Sequence, residues 1–147
     1  MEVILVFIMI ISSGLFTGGV LTITWGRLSV WKKMNPQSFK EDFGRTIRIT
    51  DKLQPILLVS TILSAGIFSF TQDGIEQVLI WVATGGFALT FIASIIVLVP
   101  LQKHILNSTQ SPMHMYANWQ QGHMGRTVLS LLSFFLLALS LSILATT

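Results

Sequence analysis

The chain has 147 residues, of which 52% are hydrophobic and only 10% charged, with a mean hydropathy of +0.73. An ordinary globular domain carries about 25% charged residues, so this composition excludes a soluble fold and leaves no room for a separate aqueous domain. The absence of cysteine excludes disulfides, thiolate metal sites and a cysteine nucleophile.

A bilayer-spanning helix needs about 20 apolar residues. Four stretches qualify, at about 3–25, 53–71, 77–102 and 127–145. The expected fold is therefore all-α, a four-helix transmembrane bundle forming a single integral membrane domain over 1–147. The first stretch lacks the basic start of a signal peptide, since Glu2 is acidic, and it exceeds an ordinary signal-peptide core in length. It reads as a retained helix. Within it, Gly14-x-x-x-Gly18 has the small-residue spacing that lets two helix backbones approach in lipid.

Charge fixes the expected orientation. Arg27, Lys32, Lys33, Lys40, Arg45, Arg48 and Lys52 all lie between spans one and two, and Lys103 and Arg126 flank the third connection. The second connection holds only Asp73 and Glu76. Basic residues near span ends mark the cytoplasmic side, which puts connections one and three in the cytoplasm and both termini on the non-cytoplasmic side. The membrane expected is the plasma (inner) membrane. A pI near 9.7 thus reports orientation and attraction to anionic lipid; no nucleic acid partner is expected.

Span two is preceded by Asn35–Pro36–Gln37–Ser38, and Ser38 with Glu41 matches a capping box, predicting a helix that starts at Ser38, ahead of the apolar run. Glu41 and Arg45 are spaced for an i,i+4 pair. Asp51 lies one turn before Pro55, which would kink the helix or free a carbonyl. Span three carries Thr84–Gly85–Gly86, a second small-residue packing patch, and Pro100 at its cytoplasmic end. The polar connection 107–115 contains the sequon Asn107-Ser108-Thr109, without meaning on a cytoplasmic face.

The fourth span opens with the densest chemistry. Trp119, His123 and Arg126 recur at i, i+4 and i+7, on one helical face that continues through Ser130, Ser133 and Ser140. Imidazole, guanidinium and the Asp51 carboxylate at one end of an apolar bundle suit proton transfer on a lipophilic substrate. His123 is the candidate acid or base, tuned by Asp51, and Arg126 the candidate oxyanion holder. Trp119, His104, Gln102 and Ser130 are candidate substrate contacts, the serines forming the depth of a pocket. The competing reading makes Trp119 and Arg126 interfacial anchors, with the arginine stem snorkelling to the headgroups. No metal is expected: Glu-x-x-His is absent and the histidine spacings match no compact ligand set.

A Gly-rich first span ending near Trp25, a basic linker into Phe39–Pro55, Pro100 closing span three and Trp119-x-x-x-His123-x-x-Arg126-Thr127 opening span four together resemble the anthrone oxygenase-like family of small four-helix integral membrane proteins. The resemblance implies an oxidoreductase working without a cofactor. It would form an anthrone enolate with a base and let it react with O2. After Pro100 many members carry an Asn-containing polar turn, where this chain has Leu101–Gln102–Lys103. The alternative is a non-enzymatic membrane scaffold or assembly partner, including a homo-oligomer, packing through the small-residue faces. A proton-coupled exporter is disfavoured, because no span carries a carboxylate in its interior.

Overall fold

Long apolar runs in hydrocarbon must satisfy every backbone hydrogen bond internally. The structure, a computed structural model, describes residues 2–108 and 113–146 and resolves that demand as four helices. They are α1 (Glu2–Trp31), α2 (Pro36–Ser69), α3 (Gly74–Asn107) and α4 (Met113–Leu144). No strand occurs among the described residues. All four are long and apolar enough to cross a membrane, the make-up of a multi-pass integral membrane protein. At 1.5 Å per residue they run about 45–51 Å, well beyond a hydrocarbon layer of about 30 Å.

Local sequence sets the helix ends. α2 starts earlier than the Ser38 expected: Asn35 is its cap, the side chain accepting from the Ser38 backbone N–H at 2.9 Å, with Pro36 in the first turn where no N–H is needed. α3 starts at Gly74, whose φ of +73° is a left-handed value that only glycine adopts cheaply. Gln77 then donates to the Ser69 carbonyl at 3.1 Å, serving the frayed end of α2. Neither Pro55 nor Pro100 ends its helix. Pro100 follows a π-helical turn, Ser94–Leu98, which the Val99 N–H closes on the Ser94 carbonyl. The expected connection 107–115 is shorter than the sequence implied: Asn107 still belongs to α3 and α4 already begins at Met113, while 109–112 lie outside the described residues.

The helices run up and down in a square, with close packing between α1 and α2, α2 and α3, α3 and α4, and α4 and α1. Both described termini share an end with the turn after α2, for Glu2, Gln72 and Ala145 line one surface cleft. Most buried serines and threonines among the described residues serve their own helices, apart from the cross-helix bonds Thr61–Ser12 and Thr24–Thr127. Ser64, Thr84, Thr90 and Ser140 each return their hydroxyl to a carbonyl of their own helix.

The small-residue patches pack only in part. A Cβ on Gly86 would clash with Ser133 Oγ, so the α3–α4 contact accepts a side chain there only if that hydroxyl moves. Gly14 approaches Phe134 of α4, yet Gly18 and Gly85 face open space. Each patch therefore contributes one packing glycine rather than a continuous face. Similarly, the ion pair among the described residues is Arg27–Asp42 at 3.2 Å, and the Glu41–Arg45 pair is not made.

Candidate functional site

Two apolar cores divide the bundle. One, around Phe16, Leu58, Phe87 and Leu137, fills the half nearest the termini. The other, around Trp31, Phe43, Tyr116 and Trp119, plugs the opposite end. Gln54, Ser94, His123 and Arg126 lie where the two meet.

The plug forms because of a second π-helical turn, Thr22–Arg27 in α1, closed by the Leu28 N–H on the Ile23 carbonyl. Its extra residue moves the buried stripe of α1 from Ile23 to Leu28 and Trp31, and leaves Arg27 outside to pair with Asp42. Trp31 is fully buried; its indole N–H donates to Asp42 at 2.7 Å. Four aromatic rings pack edge-on against it: Phe39, Phe43, Tyr116 and Trp119. Such pairs contribute about 0.5–1.5 kcal/mol each beyond area burial.

Trp119 and His123 belong to this plug. The rings stack at 4.9 Å and 12°, and Tyr116 stacks on Trp119 at 6.2 Å and 20°. Both indole faces are thus occupied, and Trp119 has none to offer a flat substrate. His123 is buried, with neither ring nitrogen hydrogen-bonded; its backbone interaction with Val20 falls short of hydrogen-bond geometry. The end of the bundle expected to be an open mouth is closed.

Arg126 turns the other way. Its guanidinium donates to Gln54 Oε1 through Nη2 and to Ser94 Oγ through Nη1 at 3.4 Å, and lies 5.3 Å over the Phe16 ring. Gln54 is on α2, diagonally opposite α4, so one side chain ties together all four helices. The competing reading, in which the Arg126 stem snorkels to the headgroups, is overturned: these inward partners hold the charge in the core. Nε of Arg126, Nε2 of Gln54 and Oγ1 of the neighbouring Thr17 are buried without a hydrogen-bond partner. Among the described residues Arg126 has no carboxylate within 4.0 Å.

The guanidinium faces a cavity of about 270 Å³ between α2 and α3. Leu58, Phe91 and Leu98 make its apolar wall, while Asp51, Gln54, Ser94, Gln102 and Arg126 supply the polar groups. Its rim residues Asp51, Pro55 and Ile95 are exposed on the bundle's flank, so it opens sideways. Asp51 acts on Arg126 as a longer-range counter-charge. Gln102 is buried, with Oε1 unpaired.

Of the seven residues singled out from sequence, the structure brings Asp51, Gln102 and Arg126 to one cavity. Trp119 and His123 lie behind it in the plug. His104 is exposed outside it. Ser130 is fully buried, but its hydroxyl donates to the Arg126 carbonyl at 2.6 Å and lines no part of the cavity. Sequence reasoning passed over Gln54, Ser94 and Phe16. Gln54 carried a legible signal, because it takes a place in the buried stripe Phe43, Ile47, Gln54, Leu58, Thr61 where an apolar residue belongs. No protein-family model, curated protein or solved structure matches the chain.

Proposed function

We propose that this protein is a cofactor-independent oxygenase for a lipophilic aromatic substrate, anthrone- or quinol-like, which enters sideways from the bilayer between α2 and α3. The observation that carries the reading is Arg126: a guanidinium in an apolar cavity, without a close carboxylate and with unused donor capacity. A preorganised donor of that kind stabilises a developing oxyanion, typically by about 2.7–4 kcal/mol. Asp51 lines the same cavity and is the candidate base.

For an anthrone the steps balance without a further reactant. Asp51 takes the benzylic proton and Arg126 holds the enolate oxygen. The carbanion carbon bonds to O2, which is reduced, and the proton returns to the outer oxygen as a hydroperoxide. Loss of water leaves the quinone. The net change is anthrone plus O2 to anthraquinone plus water. His123 has a supporting place in this scheme, holding the α4 face that presents Arg126. The test is O2 consumption by the purified protein in lipid discs with anthrone. Turnover that survives in both Arg126→Gln and Asp51→Asn would sink the reading.

The reading includes an orientation, with the plugged end cytoplasmic and both termini outside, in the plasma membrane. Its support is the clustering of basic residues at that end. Since the chain has no cysteine, single cysteines at Lys33 and Asp73 test it by labelling with a membrane-impermeant thiol reagent. Labelling of both from one side would reject it. A second reading, assembly through α1, is favoured by the open space at Gly18; Gly18→Leu should then change the oligomeric state.

A further inference from the structure

A second recess adjoins the cavity. It is a groove of about 700 Å³ running along α2 toward the plugged end, and Asp51 lines both. Its charged residues are Lys40, Glu41, Arg45, Arg48 and Asp51. Lys40 is engaged, donating to the Ser108 carbonyl. Arg45 and Arg48 are exposed and have no ion pair among the described residues, Glu41 included. Two free guanidinium groups thus flank the outward continuation of a cavity whose inner end is a third.

Arg48 and Arg45 lie about 9 and 14 Å from Gln54 along α2, at 1.5 Å per residue. One exposed tryptophan marks their depth. Trp25, which is 74% exposed, sits six residues from Gly19, against which Gln54 packs. That puts Trp25 about 9 Å from the Gln54 level. Exposed tryptophan prefers headgroup depth, so Arg48 and Arg45 are level with headgroups, while Arg126 is inside the hydrocarbon. Arginine matches carboxylate and phosphate oxygens through paired N–H donors.

From this we propose that the groove is a subsite for an anionic group, carried by the same molecule whose oxygen Arg126 holds. The ligand class is a lipophilic aromatic bearing a carboxylate or phosphate on the side away from its reacting oxygen. This deepens the reading given under Proposed function and rests on it for the inner contact. Asp51 would lie between the two anchoring points, beside the middle of the ligand. The same oxyanion chemistry is available from a lipid headgroup, and the experiment separates the two sources.

The test compares 9,10-anthraquinone with anthraquinone-2-carboxylate, binding to the full chain in phosphatidylcholine discs. The carboxylate should bind at least tenfold tighter, with an advantage that shrinks as salt rises. The double substitution Arg45→Gln with Arg48→Gln should erase that advantage and leave the neutral quinone's affinity unchanged, while the paired lysine substitutions keep part of it. In discs containing phosphatidylglycerol the advantage should persist; its loss there by competition would assign the groove to a lipid headgroup and overturn its assignment to the substrate. Equal binding of the two probes to the wild type, an advantage that survives the double glutamine variant, or no binding of either probe overturns the proposal. Arg126→Gln separates the two levels: if it weakens neither probe while the Arg45/Arg48 effect persists, the groove stands and the oxyanion reading falls.

Discussion

Arg126 on α4 and Gln54 on α2 join through the middle of the bundle, across the diagonal of the square rather than between neighbouring helices. Gln54 rests against Gly19 of α1, where an added Cβ would lie 3.7 Å from its Nε2, and Ser94 receives the other arm of the guanidinium from α3. A charge placed this way is costly. Insertion scales put an arginine at mid-bilayer at about 2.5–3.5 kcal/mol, offset here in part by two hydrogen bonds and a cation–π contact.

That balance predicts opposite effects on stability and activity. Gln54→Leu should lower the thermal midpoint, because it leaves a buried charged donor unmatched, at a cost of about 1–3 kcal/mol. Adding Arg126→Met to it should restore or exceed wild-type stability, since a buried polar pair replaced by packed apolar residues is often neutral or stabilising. The same double variant should have no turnover. Thermal unfolding in detergent, followed for both variants, checks this; a double variant less stable than Gln54→Leu contradicts it.

The plug predicts a larger structural loss. Trp31→Ala removes the ring that four others meet and the indole N–H that Asp42 accepts. Aromatic-to-alanine truncations in packed cores cost about 3–5 kcal/mol. Asp42→Asn, which keeps an acceptor, should cost far less. Comparable midpoints for the two variants would show that the ring packing is not what holds this end together.

The two glycines of Gly85–Gly86 should separate cleanly. Gly85→Ala meets open space and should be neutral or slightly stabilising through helix propensity. Gly86→Ala drives a Cβ into Ser133 Oγ, which must rotate away, and to 3.4 Å from its Cβ, a strain expected to cost about 1–3 kcal/mol. Ser133→Ala removes the nearer atom, so Gly86→Ala with Ser133→Ala should recover most of the loss. A strictly additive double-mutant cycle would show the α3–α4 contact to be loose enough to accept the methyl group without Ser133 yielding.

These cases show what the sequence made legible. Four spans, the antiparallel order and the buried face of α4 follow from hydropathy and spacing, because a period of 3.6 residues survives any tertiary arrangement. Two π-helical turns do not follow. Each adds one residue to the period, and nothing in the composition of Thr22–Arg27 or Ser94–Leu98 announces it. The first decides that Trp31 is buried and Arg27 is not, and so turns an expected mouth into a plug. The direction of Arg126 was also hidden. Its place at the start of an apolar run is equally suited to snorkelling, and only Gln54, a polar residue on an apolar stripe of another helix, reveals the partner.

The roles of Asp51 and His123 give the sharpest test of the site. The sequence makes His123 the acid or base and Asp51 the group that tunes it, but Asp51 lines the cavity with Arg126 whereas His123 is stacked on Trp119 inside the plug. His123→Phe keeps a flat ring on Trp119 and removes both nitrogens. If the imidazole only packs, this variant should retain stability and most of the turnover, within about tenfold. Asp51→Asn keeps size and removes the base, and positioned general bases contribute about 10²–10⁴-fold, so its turnover should fall by that order with little change in the thermal midpoint. The measurement is initial O2 consumption with anthrone, alongside unfolding curves for each variant. The reverse outcome, a stable His123→Phe protein with no turnover and an active Asp51→Asn, would return the proton-transfer role to His123. It would then require the plug to open during the reaction, because only a rearrangement of Trp119 and Trp31 could bring that imidazole to the substrate.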